Sequence, residues 1–93
     1  MTDIARITME TTPSRDPRVS WRVIDDEAVI ISGERMRVLN EVGTFVWQML
    51  DGENPVAFIC KSVADDFQIE EDAVFNDLQD FLTSLLEKEM IKV

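Results

Sequence analysis

The sequence predicts an α+β domain in which a three-stranded antiparallel sheet is followed by a bundle of three helices. Residues 18–39 hold three short runs of strand type, and apolar and polar side chains alternate in two of them. Residues 41–86 instead repeat apolar residues every three to four positions, which is the period of an amphipathic helix. We expect the helices to form a helix-turn-helix-like bundle with the sheet as its wing.

Two tight turns separate the three predicted strands. Val19, Trp21 and Val23 fall on one face of the first strand, so we expect that strand to be half-buried. Asp25-Asp26 and Gly33-Glu34 are pairs that favour hairpin turns. The second and third strands are therefore expected at residues 28–32 and 35–39.

The first helix lies within residues 39–52, which read LNEVGTFVWQMLDG. Asn40 can cap its first turn, and Asp51-Gly52 can supply a left-handed stop. Gly43 costs helix stability relative to Ala, so its presence indicates the close approach of another element. Trp47 lies off the centre of the predicted apolar stripe, whose members are Val42, Phe45, Val46, Met49 and Leu50.

The second and third helices follow, and residues 90–93 form either a short strand or a tail. We expect Asn54 to cap the second helix and Pro55 to occupy its first position. The acidic residues 70–72 suit the positive end of the third helix. The predicted stripes are Val56, Ile59, Cys60, Val63 and Phe67, and then Val74, Leu78, Phe81, Leu82 and Leu85, widened by Phe75 and Leu86.

The chain is expected to divide into an arm and a domain. Residues 1–17 are rich in Thr, Ser and Pro, a composition that disfavours helix and central strand, so we predict a flexible N-terminal arm. Residues 18–93 are predicted to form the folded domain. Ile4, Ile7 and Met9 make the arm apolar enough to pair with the sheet edge of a second copy, which suggests a homodimer.

The formal net charge of −10 lies almost entirely in the helical half. Residues 1–40 carry 6 Lys and Arg against 7 Asp and Glu, whereas residues 41–93 carry 3 against 12. An acidic surface repels the phosphate backbone, which argues against nucleic-acid binding. The chain also has no apolar run long enough for a membrane span and no apolar signal core, so we expect a soluble cytoplasmic protein.

Few residues suit catalysis or metal binding. The chain has one Cys and no His, so a structural zinc site lacks soft ligands and the commonest general base is missing. Cys60 falls on an apolar stripe and is expected to be a buried structural thiol. Ser62 and Ser84 are not preceded by the Asp that the Asp-Ser-Leu motif of phosphopantetheine carriers requires. We therefore expect a protein that is not an enzyme and needs no cofactor.

Two features favour peptide binding, and each has a plainer interpretation. The third strand alternates Arg35 and Arg37 with Met36 and Val38. At a sheet edge it would offer backbone groups to an extended peptide and arginines to acidic side chains. The same charges equally suit a protected edge. The wide face of the last helix either packs wholly into the core or leaves residues such as Val74 lining a groove beside that strand.

An ordered set of residues carries a resemblance that extends over residues 18–93. The set comprises Leu39-Asn40, Gly43, Val46-Trp47, Leu50-Asp51-Gly52, Pro55-Val56, Ile59, Asp77, Phe81-Leu82 and Leu85. In this order these residues resemble the PqqD family, the small proteins named after pyrroloquinoline quinone biosynthesis protein D. The preceding segment ISGERMRVL lacks the Pro-Glu-Gly of quinone-pathway members, so we expect a relative from another peptide pathway.

The resemblance implies a winged-helix-like element that binds the leader of a ribosomally made precursor peptide and presents it to a modifying enzyme, often a radical SAM enzyme. In that family the leader adds as a strand to the edge of the third strand and lies against the third helix. Carried onto this chain, the implied peptide-binding residues are Arg35, Met36, Arg37, Val38, Val74, Asp77, Leu78 and Phe81. The alternative is an acidic winged-helix scaffold or regulator that binds another protein.

Overall fold

The computed structural model describes residues 7–93. In chain order its elements are β1 (Ser14–Arg15), β2 (Ser20–Ile24), β3 (Glu27–Ser32), β4 (Arg35–Val38), α1 (Glu41–Gln48), α2 (Val56–Phe67), α3 (Glu71–Glu87) and β5 (Ile91–Lys92). The antiparallel sheet β2-β3-β4 and the three helices confirm the predicted α+β fold. The short strands β1 and β5 form a second, two-stranded sheet, so the C-terminal residues are a strand and not a tail.

Both predicted hairpin turns are confirmed by their backbone conformation. Asp25 and Asp26 have φ angles of 50° and 65°, and Gly33 has a φ angle of 61°. Aspartate tolerates this left-handed conformation better than most residues, and glycine adopts it freely. The two turns therefore set the register in which β3 pairs with β2 and with β4.

The prediction that the first strand of this sheet is half-buried is confirmed only for Val19, which precedes β2 and is partly buried against the core. All five residues of β2 are exposed, including Trp21 at 37% and Val23 at 39%. Trp21 pairs with Ile30 and Val23 pairs with Ala28, and both partners are fully buried. The Trp21 and Val23 side chains therefore lie on the face of the sheet toward the helices. Helix α1 packs on β3, however, and β2 extends beyond it as an edge strand.

Helix α1 begins where the sequence predicts and ends earlier. Asn40 Oδ1 accepts a hydrogen bond from the Gly43 N–H at 2.8 Å, which confirms the predicted cap. The helix ends at Gln48, before the predicted stop. Gly52 does have a positive φ of 84°, but it turns the connection that leads to α2 and lies against β1.

Trp47 is a core residue, although the sequence placed it off the centre of the buried stripe of α1. Its side chain is fully buried, whereas Val42, Phe45 and Met49 are half-buried. Helix α1 packs against β3 and also against α2, so it buries two faces instead of one. The Trp21 ring of β2 packs edge-on against the Trp47 ring, with the two ring centroids 6.0 Å apart.

The starts of α2 and α3 differ slightly from the sequence prediction. Pro55 is the N-cap of α2, and the Asn54 side chain instead donates to the Met49 carbonyl at 3.0 Å, which closes the turn after α1. Glu70 is the N-cap of α3. The predicted stripes of both helices are largely confirmed, since the buried residues include Val56, Ile59, Cys60, Val63, Val74, Leu78, Leu82 and Leu85.

Within residues 7–17, parts of the predicted flexible arm pack on the domain. Ile7 and Asp16 are buried, and β1 pairs with β5. The backbone carbonyls of Met9 and Thr11 accept the first two N–H groups of α2, which no carbonyl within that helix can satisfy. The Ile7 side chain is buried within the chain and so is not available for the predicted dimer contact, and residues 1–6, with Ile4, lie outside the described part of the chain.

Asp16 is bound to Arg18 at the end of the N-terminal segment. Its carboxylate accepts the Arg18 backbone N–H at 2.8 Å and two bonds from the Arg18 guanidinium at 3.0 and 2.8 Å. The hydrogen bonds from Arg18 hold the pKa of the Asp16 carboxyl well below its ordinary value. A carboxylate that is almost wholly buried therefore stays ionised at neutral pH.

Candidate peptide-binding groove

Within residues 7–93, β4 pairs only with β3, so its other edge is open. The Leu39 N–H donates to the Ala28 carbonyl at 2.8 Å, which identifies this pair as a hydrogen-bonded one. Hydrogen-bonded and non-bonded pairs alternate along an antiparallel ladder. The backbone groups of Met36 and Val38 are therefore directed away from β3, toward the open edge.

The side chains of β4 alternate between the two faces of the sheet. Arg35 and Arg37 lie on the face toward the helices, where Arg37 reaches α3. Met36 and Val38 lie on the outer face and are 69% and 53% exposed. A strand that pairs with this edge would direct every second side chain toward α3.

A cavity of about 470 Å³ lies between β4, α1 and α3. Its floor is formed by the buried side chains of Val46, Val63, Val74 and Leu78, and its walls include the half-buried Val42 and Phe81. Because the cavity opens beside the free edge of β4, it can receive apolar side chains from a strand added there.

Arg37 crosses the groove and connects β4 with α3. Its Nη1 donates to Ser84 Oγ at 2.8 Å, and its guanidinium carbon lies 5.4 Å from the centroid of the Phe81 ring. Both contacts hold the arginine side chain along α3. The arginine therefore forms part of the groove wall as well as carrying a positive charge.

Asp77 lies at the rim of the cavity and is exposed. Its side chain makes no hydrogen bond or ion pair with another residue of the described chain. The sequence left open whether this acid contacts the sheet or a peptide, and no contact with the sheet is seen. Its carboxylate is therefore accessible to a basic group on a ligand.

Gly43 confirms the predicted close approach at the start of α1. A Cβ at this position would lie 3.3 Å from Leu39 Cβ, 3.2 Å from Asn40 Oδ1 and 3.6 Å from Phe81 Cζ. The first two distances are tighter than ordinary packing contacts. The glycine thus leaves room for Leu39 and the Asn40 cap, whereas the distance to the Phe81 ring is an ordinary packing contact.

The structure brings most of the predicted site residues together. Six of the eight line the cavity, namely Arg37, Val38, Val74, Asp77, Leu78 and Phe81. Arg35 lines a second cavity, and Met36 contributes its backbone and an outer-face side chain. Val74 and Leu78 are both buried and line the cavity, so the wide face of the last helix packs into the core and also lines the groove. Their role in peptide binding stays a prediction.

The sequence prediction missed the contribution of α1 to this cavity. Val42 and Gly43 line it, although both were expected only to shape the helix and its core contacts. The signal was the glycine itself, which is unfavourable in a helix unless another element lies close. Ile69, in the connection between α2 and α3, also lines the cavity and is 41% exposed.

Groups suited to chemistry are scarce in the described residues. No cluster of His, Cys, Asp and Glu in residues 7–93 could hold a metal ion. Cys60 is buried, and burial raises the pKa of its thiol, as expected of a structural cysteine. The helices of this part of the chain are too short or too polar to cross a membrane.

Comparisons with known proteins identify relatives of this chain. A curated PqqA binding protein from Kluyvera intermedia is 30% identical over 78 residues, which cover 84% of each chain. TbiB1, solved in complex with the TbiA(beta) leader peptide, is 26% identical with a TM-score of 0.78, over 85% of this chain and 94% of that one.

The fold is shared with a solved PqqD as well. The PqqD truncation of Methylobacterium extorquens PqqCD, a stand-alone recognition element for ribosomally synthesised and modified peptides, superposes with a TM-score of 0.81. That match covers 99% of this chain and 100% of the other at 18% identity. The sequence model of the family described as coenzyme PQQ synthesis protein D matches residues 27–91, which is most of the chain. This protein belongs to the PqqD family.

Proposed function

We propose that this protein is a non-catalytic recognition element that binds the leader of a ribosomally made precursor peptide as an added strand on β4. The observation that carries the proposal is the open edge of β4 beside an apolar cavity walled by α3. Strand addition pairs the outward backbone groups of Met36 and Val38 with the leader. Every second leader side chain then enters the groove.

The relatives support this proposal. One of them is a PqqA binding protein, and another has been solved with a leader peptide. The segment before α1 lacks Pro-Glu-Gly, which leads us to propose a precursor other than that of the quinone cofactor.

The chemistry of the precursor falls to a second protein in this proposal. The chain has no His, its Cys is buried, and the groove is lined mainly by aliphatic side chains. We therefore propose that the chain presents the leader to a separate modifying enzyme, such as a radical SAM enzyme. We place this step in the cytoplasm, where ribosomally made precursors arise.

Titration of ¹⁵N-labelled protein with the leader of a precursor peptide encoded near its gene tests the proposal. Amide shifts are expected along β4 and in the cavity-facing residues of α3, and a scrambled leader should cause none. Absence of shifts at high micromolar leader would overturn the proposal. If a peptide-modifying enzyme encoded near its gene bound the protein while the leader did not, the acidic scaffold would be the better account.

A further inference from the structure

The groove between β4 and α3 has two chemically different ends. At one end Leu39 shares the apolar cavity with Val74 and Leu78, near the start of α3. At the other end Arg35 shares a second cavity with Lys88, just past the end of α3. Strand β4 and helix α3 therefore run in opposite directions along the groove. The groove has an apolar end near Leu39 and a basic end near Arg35.

The basic end is a cavity of about 320 Å³. Among residues 7–93, three cationic side chains line it, from Arg18, Arg35 and Lys88, and one acidic side chain, from Glu89. The Arg18 charge is neutralised by Asp16 through an ion pair of 2.8 Å. Arg35 and Lys88 make no ion pair within residues 7–93, so two free cations face one carboxylate in a chain whose formal net charge is −10.

The backbone carbonyls at the C-terminus of α3 are mostly hydrogen-bonded, so they repel an anion in the basic cavity only weakly. Exposed carbonyls at a helix C-terminus carry partial negative charge and would repel a carboxylate. Here the carbonyls of Ser84, Leu85 and Leu86 accept the N–H groups of the three residues that follow the helix, at 3.3, 2.9 and 3.0 Å. The basic cavity therefore presents side-chain cations and few free carbonyls.

Building on the proposed function, we propose that the leader is recognised at two points on its α3-facing side: an apolar side chain in the cavity near Leu39, and an Asp or Glu carboxylate at Arg35 and Lys88. Positions 35 and 39 lie on one face of the strand and are four residues apart. The added strand has the same rise, so the two leader residues are also four apart, or about 13 Å. Arg37 faces the leader residue midway between them.

A selection from a displayed library of random 12-residue peptides tests this pattern even where the sequence of the leader is unidentified. The wild-type protein is compared with Arg35→Gln/Lys88→Gln. The matched control is Arg22→Gln/Lys61→Gln, because both residues are exposed, lie outside the two cavities, and change the net charge by the same amount. Thermal unfolding shows that each variant is folded.

Wild-type and control pools are expected to enrich an apolar residue with Asp or Glu four positions away, and the Arg35→Gln/Lys88→Gln pool should keep only the apolar residue. For one selected peptide, changing that acid to its amide should weaken binding about three- to tenfold on the wild type and not on Arg35→Gln/Lys88→Gln. Equal enrichment of the acid on all three proteins, or no enrichment on the wild type, would overturn the two-point pattern. If the apolar residue is still selected, the proposed function stands. A wild-type pool with neither feature would count against both.

Discussion

Arg37 Nη1 donates to Ser84 Oγ at 2.8 Å and thereby ties β4 to α3 across 47 positions of sequence. The guanidinium also lies over the Phe81 ring. The sequence predicts Arg37 only as an attraction for acidic side chains. The structure gives it a second role, because it holds one wall of the groove against the other. A guanidinium has five N–H donors, so the bond to Ser84 leaves others for a ligand carboxylate.

Arg37→Ala should therefore change both stability and binding. Loss of the hydrogen bond and of the contact with Phe81 is expected to lower the free energy of unfolding by about 1–2 kcal/mol, measured in urea. Leader affinity, measured by fluorescence anisotropy, should fall about tenfold. Ser84→Ala removes the bond and keeps the charge, so it should cost less in both measurements. Wild-type affinity in Arg37→Ala would show that the arginine does not face the leader.

Val38→Pro tests the backbone pairing directly. It removes an N–H that is directed to the open edge of β4, so leader affinity should fall at least tenfold while the fold is retained. Val23→Pro is the matched control, because the same alternation directs the Val23 N–H outward at the opposite edge of the sheet, and its side chain is 39% exposed against 53% for Val38. Equal affinities of the two variants would contradict strand addition on β4.

Asp77→Asn tests whether the acid at the cavity rim binds the leader. The side chain is exposed and without a partner among the described residues, so thermal unfolding should be unchanged. Leader affinity should fall about two- to fivefold at low salt, and less at high salt. Asp80→Asn removes the same charge from the same helix outside the cavity. If both variants bound the leader equally well, Asp77 would not be a contact residue.

Asp16→Asn should destabilise the protein in a pH-dependent way. The hydrogen bonds from Arg18 lower the pKa of this carboxyl in the folded state, so its contribution to stability is present above the ordinary value of 3.8 and is lost as the pH falls below it. The melting temperature of the variant should lie below that of the wild type at pH 7, and the difference should shrink toward pH 3. Asp25→Asn, at an exposed turn, is the control. A difference that did not change with pH would mean that the charge of Asp16 is not what stabilises the segment.

The sequence predicted the elements whose signals are local. Asn40 caps α1, Asp25-Asp26 and Gly33-Glu34 turn the sheet, and the apolar repeats locate α2 and α3. Each of these depends on residues close together in the chain. The groove between β4 and α3 was also expected, but from family resemblance more than from pattern, because the residues that form it are about 40 positions apart.

The features that the sequence did not predict depend on which elements pack together. Trp47 is buried because α1 is covered on two sides, and a helical stripe describes only one. The segment that contains Ile7 and Asp16 is packed because β5, at the other end of the chain, pairs with β1. The basic cavity joins Arg35 with Lys88, which no local spacing connects.

Amide hydrogen exchange with and without the leader is the most direct test of the central claim. In the free protein the N–H groups of Met36 and Val38 should exchange quickly, like those of Trp21 and Val23 on the opposite edge. Saturating leader should slow exchange at Met36 and Val38 and leave Trp21 and Val23 unchanged. Protection at β2, or none at β4 while the leader is bound, would contradict the account.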